Sequence, residues 1–286
     1  MSLQSLEDLA LPLREYVKRA IEFPEPALKL DLASRKNDPV RQFKHLHQMC
    51  TIHGESFAVA NQIKQVALID GYLLVSRNLH PLGPYLFARS LLELSAFICD
   101  LASRAREIYV KPDKQWLSKG EEFFALIMRA RYATSDPKLR KSLEESGVPN
   151  HLLKPFNVMH SLAALESSED GGQFDGVYAK LCDFVHHNLS SQVTSSPGSR
   201  QDVMALSQGG GAILMNKPSP VTRYEYPVPS KGEKAVRETL DDVVNSVKVM
   251  VKNLNSMPLT PFGEEQIEMM TGSKVGFTKR RPELAN

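Results

Sequence analysis

The segment Pro84–Arg106, PYLFARSLLELSAFICDLASRAR, constrains the fold more than any other stretch of the chain. Phe87, Leu91, Leu94, Ile98 and Leu101 recur at i, i+4, i+7, i+11 and i+14, the period of one helix face. Leu86, Leu92, Phe97, Cys99 and Ala102 widen that stripe beyond half of the circumference. A helix this apolar must pack on two sides, so the spacing predicts roughly six turns of helix near the centre of a bundle. Arg89, Glu93, Asp100 and Arg104 make up the polar strip that remains.

The flanking chain is helical in pattern as well. Residues 1–22 set Leu3, Leu6, Leu9, Leu13 and Val17 among charges, an amphipathic helix kinked or begun at Pro12 and stopped by Pro24 and Pro26. Asp38-Pro39 opens the next, which carries Phe43, Leu46 and Met49 and is expected to break at Gly54. Glu55–Ser76 predicts a second long helix with Phe57, Val59, Ile63, Val66, Leu73 and Leu74 facing inward. The connection Arg77–Pro84 is so short that this helix must run antiparallel to the central one. Gln115–Tyr132, Pro137–Ser146, Pro149–Leu165 and Phe174–Leu189 read as further helices.

A change of composition follows. Ser190–Ser230 gathers Ser, Gly and Pro around three short apolar runs, a pattern for a small irregular or β-hairpin flap. Ser230-Lys-Gly-Glu233 has the form of a capping box, and Val236, Leu240, Val243, Val247, Met250 and Leu254 then continue a helical face. The tail beyond Pro258, with Lys279-Arg280-Arg281, has little periodicity. The expected fold is all-α, a bundle of about seven or eight helices with one flap. Its expected parts are an N-terminal helical segment 1–54, a core 55–256 with the flap at 190–230, and a tail 257–286.

Composition narrows the function classes. A net charge of +2 is too small to argue for a nucleic-acid or membrane partner from field strength. No run reaches the ~18 apolar residues of a membrane span, and early charges interrupt any leader-like start. Three cysteines without close pairs, Cys50, Cys99 and Cys182, favour a reducing compartment. The expected setting is cytoplasmic, with no membrane partner.

Three groups could carry chemistry. Arg89 and Glu93 share a helix face, either as a solvated ion pair or as a cation held toward a cleft where it could bind phosphate or carboxylate. Tyr178, Asp183 and His186 lie in YAKLCDFVHHN, with His186 at the edge of the apolar face and Asp183 sharing a polar face with His187. A histidine assisted by Arg or Tyr can cleave RNA without a metal: one group handles the 2′-hydroxyl proton and another steadies the phosphate. The plainer reading of His186 is a boundary residue bonded to a neighbour. Arg41, His45 and His47 form the third group, but His45 and His47 face different sides of a helix and make a poor metal pair. No zinc, di-iron, P-loop, GxGxxG or GxSxG pattern occurs, so no metal or cofactor is expected.

Arg89-Ser-Leu-Leu-Glu93 on a long apolar helix, followed much later by Tyr178…Leu-Cys-Asp-Phe-Val-His186, resembles a widespread bacterial family of uncharacterised all-helical proteins. That family in turn resembles the HEPN group, many of which are dimeric, metal-independent ribonucleases of toxin–antitoxin and phage-defence systems. The likeness covers Glu55–Leu189. It implies RNA or a nucleotide as partner, a homodimer, and a site of Arg89, Glu93, Tyr178, Asp183 and His186. The HEPN hallmark places Arg four to six residues before the histidine; here Lys180 stands six before His186. The site would then either be weakened or inactive, or be completed by Arg89 and Glu93 from the other helix. A reading of another class is also open: a non-enzymatic interaction protein whose flap and tail hold a protein partner, with a polar cluster that only specifies packing.

Overall fold

The computed structural model describes residues 2–20, 39–110, 113, 115–145, 150–154, 157–166, 174–186 and 229–257. The chain is an all-α helical bundle protein: among the described residues there are eight α-helices, one 3-10 turn and no strand. The helices are α1 (Leu3–Ala20), α2 (Pro39–Arg77), α3 (Gly83–Tyr109), α4 (Trp116–Tyr132), α5 (Pro137–Glu145), α6 (Met159–Glu166), α7 (Phe174–Val185) and α8 (Pro229–Asn255), with the 3-10 turn at Asn150–Leu153. The expected flap as far as residue 228 and the tail from residue 258 lie outside the described residues, while 229 and 230 belong to α8. None of the helices is long and apolar enough to cross a membrane.

The chain divides into two compact units. The first takes Met1–Ile21, Asn61–Cys99 and Val158–Lys252; the second takes Glu22–Ala60, Asp100–Asn157 and Asn253–Asn286. In the first unit Leu6, Ala10 and Leu13 are buried along one face of α1. Ion pairs from Arg14 to Asp70 and from Arg77 to Glu7 run α1 antiparallel to α2. Between α2 and α3 the spacing is set by glycine. A Cβ at Gly71 would overlap the Phe87 ring, and one at Gly83 would press on Val75. As the residue number falls by four on one helix it rises by four on the other, the antiparallel register expected.

The turn between these two helices explains why they lie so close. His80 N donates to the Val75 carbonyl at 2.9 Å and Leu79 N to Ser76 at 3.2 Å, the paired bonds of a Schellman ending, with Leu79 in the left-handed position at φ 51°. His80 Nδ1 then accepts from Leu82 N at 3.2 Å and Gly83 N at 2.8 Å, capping α3. One residue thus closes one helix and opens the next. α8 lies on both: Tyr72 Oη and Thr239 Oγ1 are 2.9 Å apart, and Ser95 Oγ lies 3.8 Å from Met250 Sδ. Its buried face is Ala235, Thr239, Val243, Ser246, Val247 and Met250.

The second unit is built on aromatic rings. Trp116, Phe123 and Tyr109 are buried, His47 lies 5.5 Å from the Tyr109 ring and 6.4 Å from Trp116, and Tyr109 meets Phe123 edge-on at 6.4 Å. His47 is therefore a packing ring. Cys50 Sγ donates to the Gly120 carbonyl at 3.6 Å, and burial pushes its thiol pKa up. His53 is fully buried: Arg131 Nη1 lies 3.4 Å from its Nδ1 and donates to Ser56 Oγ at 3.2 Å. A guanidinium can only donate, so His53 accepts through Nδ1 and carries its proton on Nε2. That Nε2 is buried with no hydrogen-bond partner.

Several expectations need correction. α2 does not break at Gly54, which is buried in its interior; the packing on both sides outweighs the ~1 kcal/mol a mid-helix glycine costs. Ile63, Leu74 and Leu86 point outward, at 42%, 63% and 44% exposure. The buried face of α2 in the first unit is instead Gln62, Gln65, Ile69, Tyr72, Leu73 and Ser76, polar groups included. Residues 149–165 are not one helix but a 3-10 turn and α6. Ser230 does not cap α8, since the helix already begins at Pro229.

Two predictions follow from these contacts. A Cβ at Gly232 would strike the backbone carbonyl of Leu79, whereas one at Gly176 meets nothing within 4 Å. Gly232→Ala should cost about 1–3 kcal/mol and Gly176→Ala should gain about 0.5–1 kcal/mol in urea unfolding. Burial, and after it the charge of Arg131, lowers the His53 pKa below its ordinary 6.5. The unfolded chain then takes up the proton first, so this contribution is complete at neutral pH and is lost as pH falls below that value. His53→Gln should flatten the loss of stability between pH 7 and pH 5, measured against wild type.

Candidate functional site

α7 and the part of α3 up to Cys99, both in the first unit, bring the candidate residues together. On α7 Tyr178 and Cys182 stand one turn apart, and His186 follows one turn later. His186 lies just past the helix end, but its N donates to the Cys182 carbonyl at 3.0 Å, so the helical path reaches it. On α3 Arg89 and Glu93 occupy adjacent turns of the half-exposed strip.

The geometry is a short bonded chain. Arg89 Nε donates to Glu93 Oε1 at 2.9 Å, and the Tyr178 hydroxyl donates to the same oxygen at 3.1 Å. Arg89 Nη1 lies 3.4 Å from His186 Nε2, and the guanidinium carbon is 5.6 Å from the Tyr178 ring centre. As at His53, the guanidinium must be the donor, so the contact holds His186 with its proton on Nδ1. The side chains of Arg89 and Glu93 are 21% and 35% exposed and His186 is exposed, so solvent reaches the cluster.

Electrostatics fix the charge states of two members. Burial works against the Arg89 charge, but the hydrogen bond and charge of Glu93 outweigh it and raise the pKa. Burial, followed by the Glu93 charge, pushes Tyr178 up to about 12 against the opposing effect of Arg89. Near neutral pH the site therefore offers a fixed cation, a neutral phenol donor and an imidazole. An ordinary exposed i,i+4 pair contributes about 0.3–0.5 kcal/mol. Here the carboxylate also takes the phenol, which restricts where Arg89 can point.

Four of the five expected residues meet in this way. Asp183 is exposed and follows Cys182 directly, about 100° round α7 from the line of Tyr178, Cys182 and His186. His187 lies outside the described residues. Lys180 is exposed, and its charge acts on Asp242 of α8, a different direction from Arg89. Sequence reasoning missed Tyr85. It is buried one turn before Arg89, stacks on Phe184 at 3.8 Å with 7° between the planes, and donates to Glu238 Oε2 at 2.6 Å. Its only signal was a tyrosine four residues before an arginine. Among the described residues no three His, Cys, Asp or Glu side chains are placed to hold a metal ion.

Comparison of the chain with family models, with curated proteins and with solved structures gives no match.

Glu93 can be tested directly. Glu93→Gln removes a negative charge from beside Tyr178 and keeps an acceptor, so the phenolate becomes easier to form. The Tyr178 pKa should fall from about 12 yet stay above the ordinary value of 10.0, because burial remains. A pH titration of ring-labelled tyrosine signals, with Tyr178→Phe to assign the resonance, reads the change.

Proposed function

We propose that the Arg89–Glu93–Tyr178–His186 cluster is a phosphodiester site and that the protein cleaves RNA without a metal ion. The observation that carries this reading is the approach of a guanidinium to an imidazole on a solvent-reachable face, 3.4 Å between Arg89 Nη1 and His186 Nε2. The reaction needs a cation for the phosphate and a base beside it, and these are the two groups in contact.

The chemistry divides among the residues as follows. A substrate phosphate takes over Arg89 donors from the imidazole and leaves His186 Nε2 open to the ribose. His186 accepts the 2′-hydroxyl proton as the 2′ oxygen bonds to phosphorus. The bond from phosphorus to the 5′ oxygen breaks, and that oxygen takes a proton from solvent. The products are a 2′,3′-cyclic phosphate and a 5′-hydroxyl end. Glu93 aims Arg89 through Nε, and Tyr178 holds the second lone-pair direction of the same carboxylate oxygen. The resemblance drawn from the motifs supports the same chemistry and a role in toxin or phage-defence systems.

Cleavage of an RNA oligonucleotide in the presence of a chelator tests the reading. His186→Ala should lower the rate by about 10²–10⁴-fold, the usual range for loss of a proton-transfer group. Expression of wild type should slow cell growth and degrade RNA, and His186→Ala should relieve both. Equal rates for wild type and variant would overturn the reading. No cleavage but RNA binding that needs Arg89 would leave a nucleotide- or phosphate-binding protein. Loss of neither would leave a cluster that only specifies packing.

A further inference from the structure

We propose that Tyr85 is a positioning residue for the Arg89–His186 pair, acting through the ring of Phe184. The inference deepens the phosphodiester reading and rests on it for its kinetic readout.

The weak point of the cluster is its imidazole. His186 stands one residue beyond the end of α7, where a helix frays and its last turn opens at little cost. An imidazole there would sample many positions, and a pair separated by 3.4 Å would be occupied only part of the time. Phe184, two residues earlier and half-buried, ties that turn to α3 through its stack on Tyr85. Tyr85 cannot drift in turn: it is 2% exposed, and its hydroxyl is bonded to Glu238 of α8 at 2.6 Å. Burial and the Glu238 carboxylate raise the hydroxyl pKa well above the ordinary value, so it remains a donor across the neutral range.

The register of these contacts follows the site. Tyr85 is one turn before Arg89 on α3, and Phe184 is half a turn before His186 on α7. The stack therefore sets both the axial slide and the rotation of α7 at the level where imidazole and guanidinium meet. A slide of about 1 Å would break a contact already at the long end of hydrogen bonding, and such a displacement can cost on the order of 10²-fold in rate.

Three variants separate positioning from general support of the fold. Tyr85→Phe keeps the stack and loses the Glu238 bond; Tyr85→Leu loses both; Phe184→Leu removes the stack from the half-buried side and guards against a Tyr85→Leu chain that does not fold. The first readout needs no substrate: nitrogen-resolved imidazole spectra report which ring nitrogen of His186 carries the proton. Wild type and Tyr85→Phe should show the Nδ1-protonated form, while Tyr85→Leu and Phe184→Leu should show a mixture of both. In the RNA assay the two Leu variants should lose about 10- to 100-fold in kcat with KM changed less than about threefold, and Tyr85→Phe should restore most of it. A mixed wild-type ring, or Leu variants with an unaltered ring and unaltered kcat, would overturn the inference. Wild type inactive on RNA, with the tautomer shift present in Phe184→Leu, would sink the phosphodiester reading and leave the positioning intact.

Discussion

A helix buried round most of its circumference must find a partner for every polar side chain it carries, and α3 is organised by that demand. Ser95 turns its hydroxyl back to the Leu91 carbonyl at 2.8 Å, and Ser90 does the same to Leu86 at 3.1 Å. Arg104 pairs with Asp100 at 2.9 Å, a carboxylate only 11% exposed. Arg89 and Glu93 are the pair at which this local solution is incomplete, because the guanidinium has more donors than Glu93 can accept. His186, just past the end of α7, takes one of the surplus donors, while Tyr178 of α7 donates to Glu93. A hydrogen-bonding residue problem on one helix thus becomes the contact that joins two.

Among the described residues a guanidinium meets an imidazole in each unit, and the comparison shows what burial does to the same pair. Arg131 and His53 meet at 3.4 Å with the ring wholly enclosed, its centre 5.5 Å from that of the edge-on Phe124 ring and Nε2 unpartnered. There the neutral imidazole is compelled by its surroundings, and no ligand can reach it. Arg89 and His186 meet at the same 3.4 Å with the imidazole exposed. The distance is equal, but only one of the two rings can exchange a proton with a visiting group.

Much of this architecture was legible in residue order, and the reasons the rest was not are physical. Apolar period located α3, α4 and α7 to within a few residues because burial of a helix face leaves a repeating mark. It misjudged Ile63, Leu74 and Leu86, since a period names a stripe but not how far the stripe is rotated toward its neighbour. Gln62 and Gln65 defeated it from the other side, by occupying buried places where polarity argued for solvent. The candidate cluster, Asp183 included, came from the motif resemblance; helix period alone could not give it, because the apposition of Arg89 with His186 spans 97 positions and leaves no local signature. Tyr85 was passed over because its importance lies in a ring on α7 and a carboxylate on α8, neither visible from its own neighbours.

The turn at residues 77–83 has a consequence for the order in which the molecule comes together. Because His80 ends one helix and starts the next within a few residues, α2 and α3 form a hairpin of low contact order that can close early. α7 and α8 must travel to it from far along the chain, as the separations of 97 positions for His186 and 153 for Glu238 record. During synthesis the cation of the cluster is therefore in place well before its imidazole has been made. A nascent chain holds only the Arg89–Glu93 pair, and the four-residue cluster is incomplete until α7 has left the ribosome.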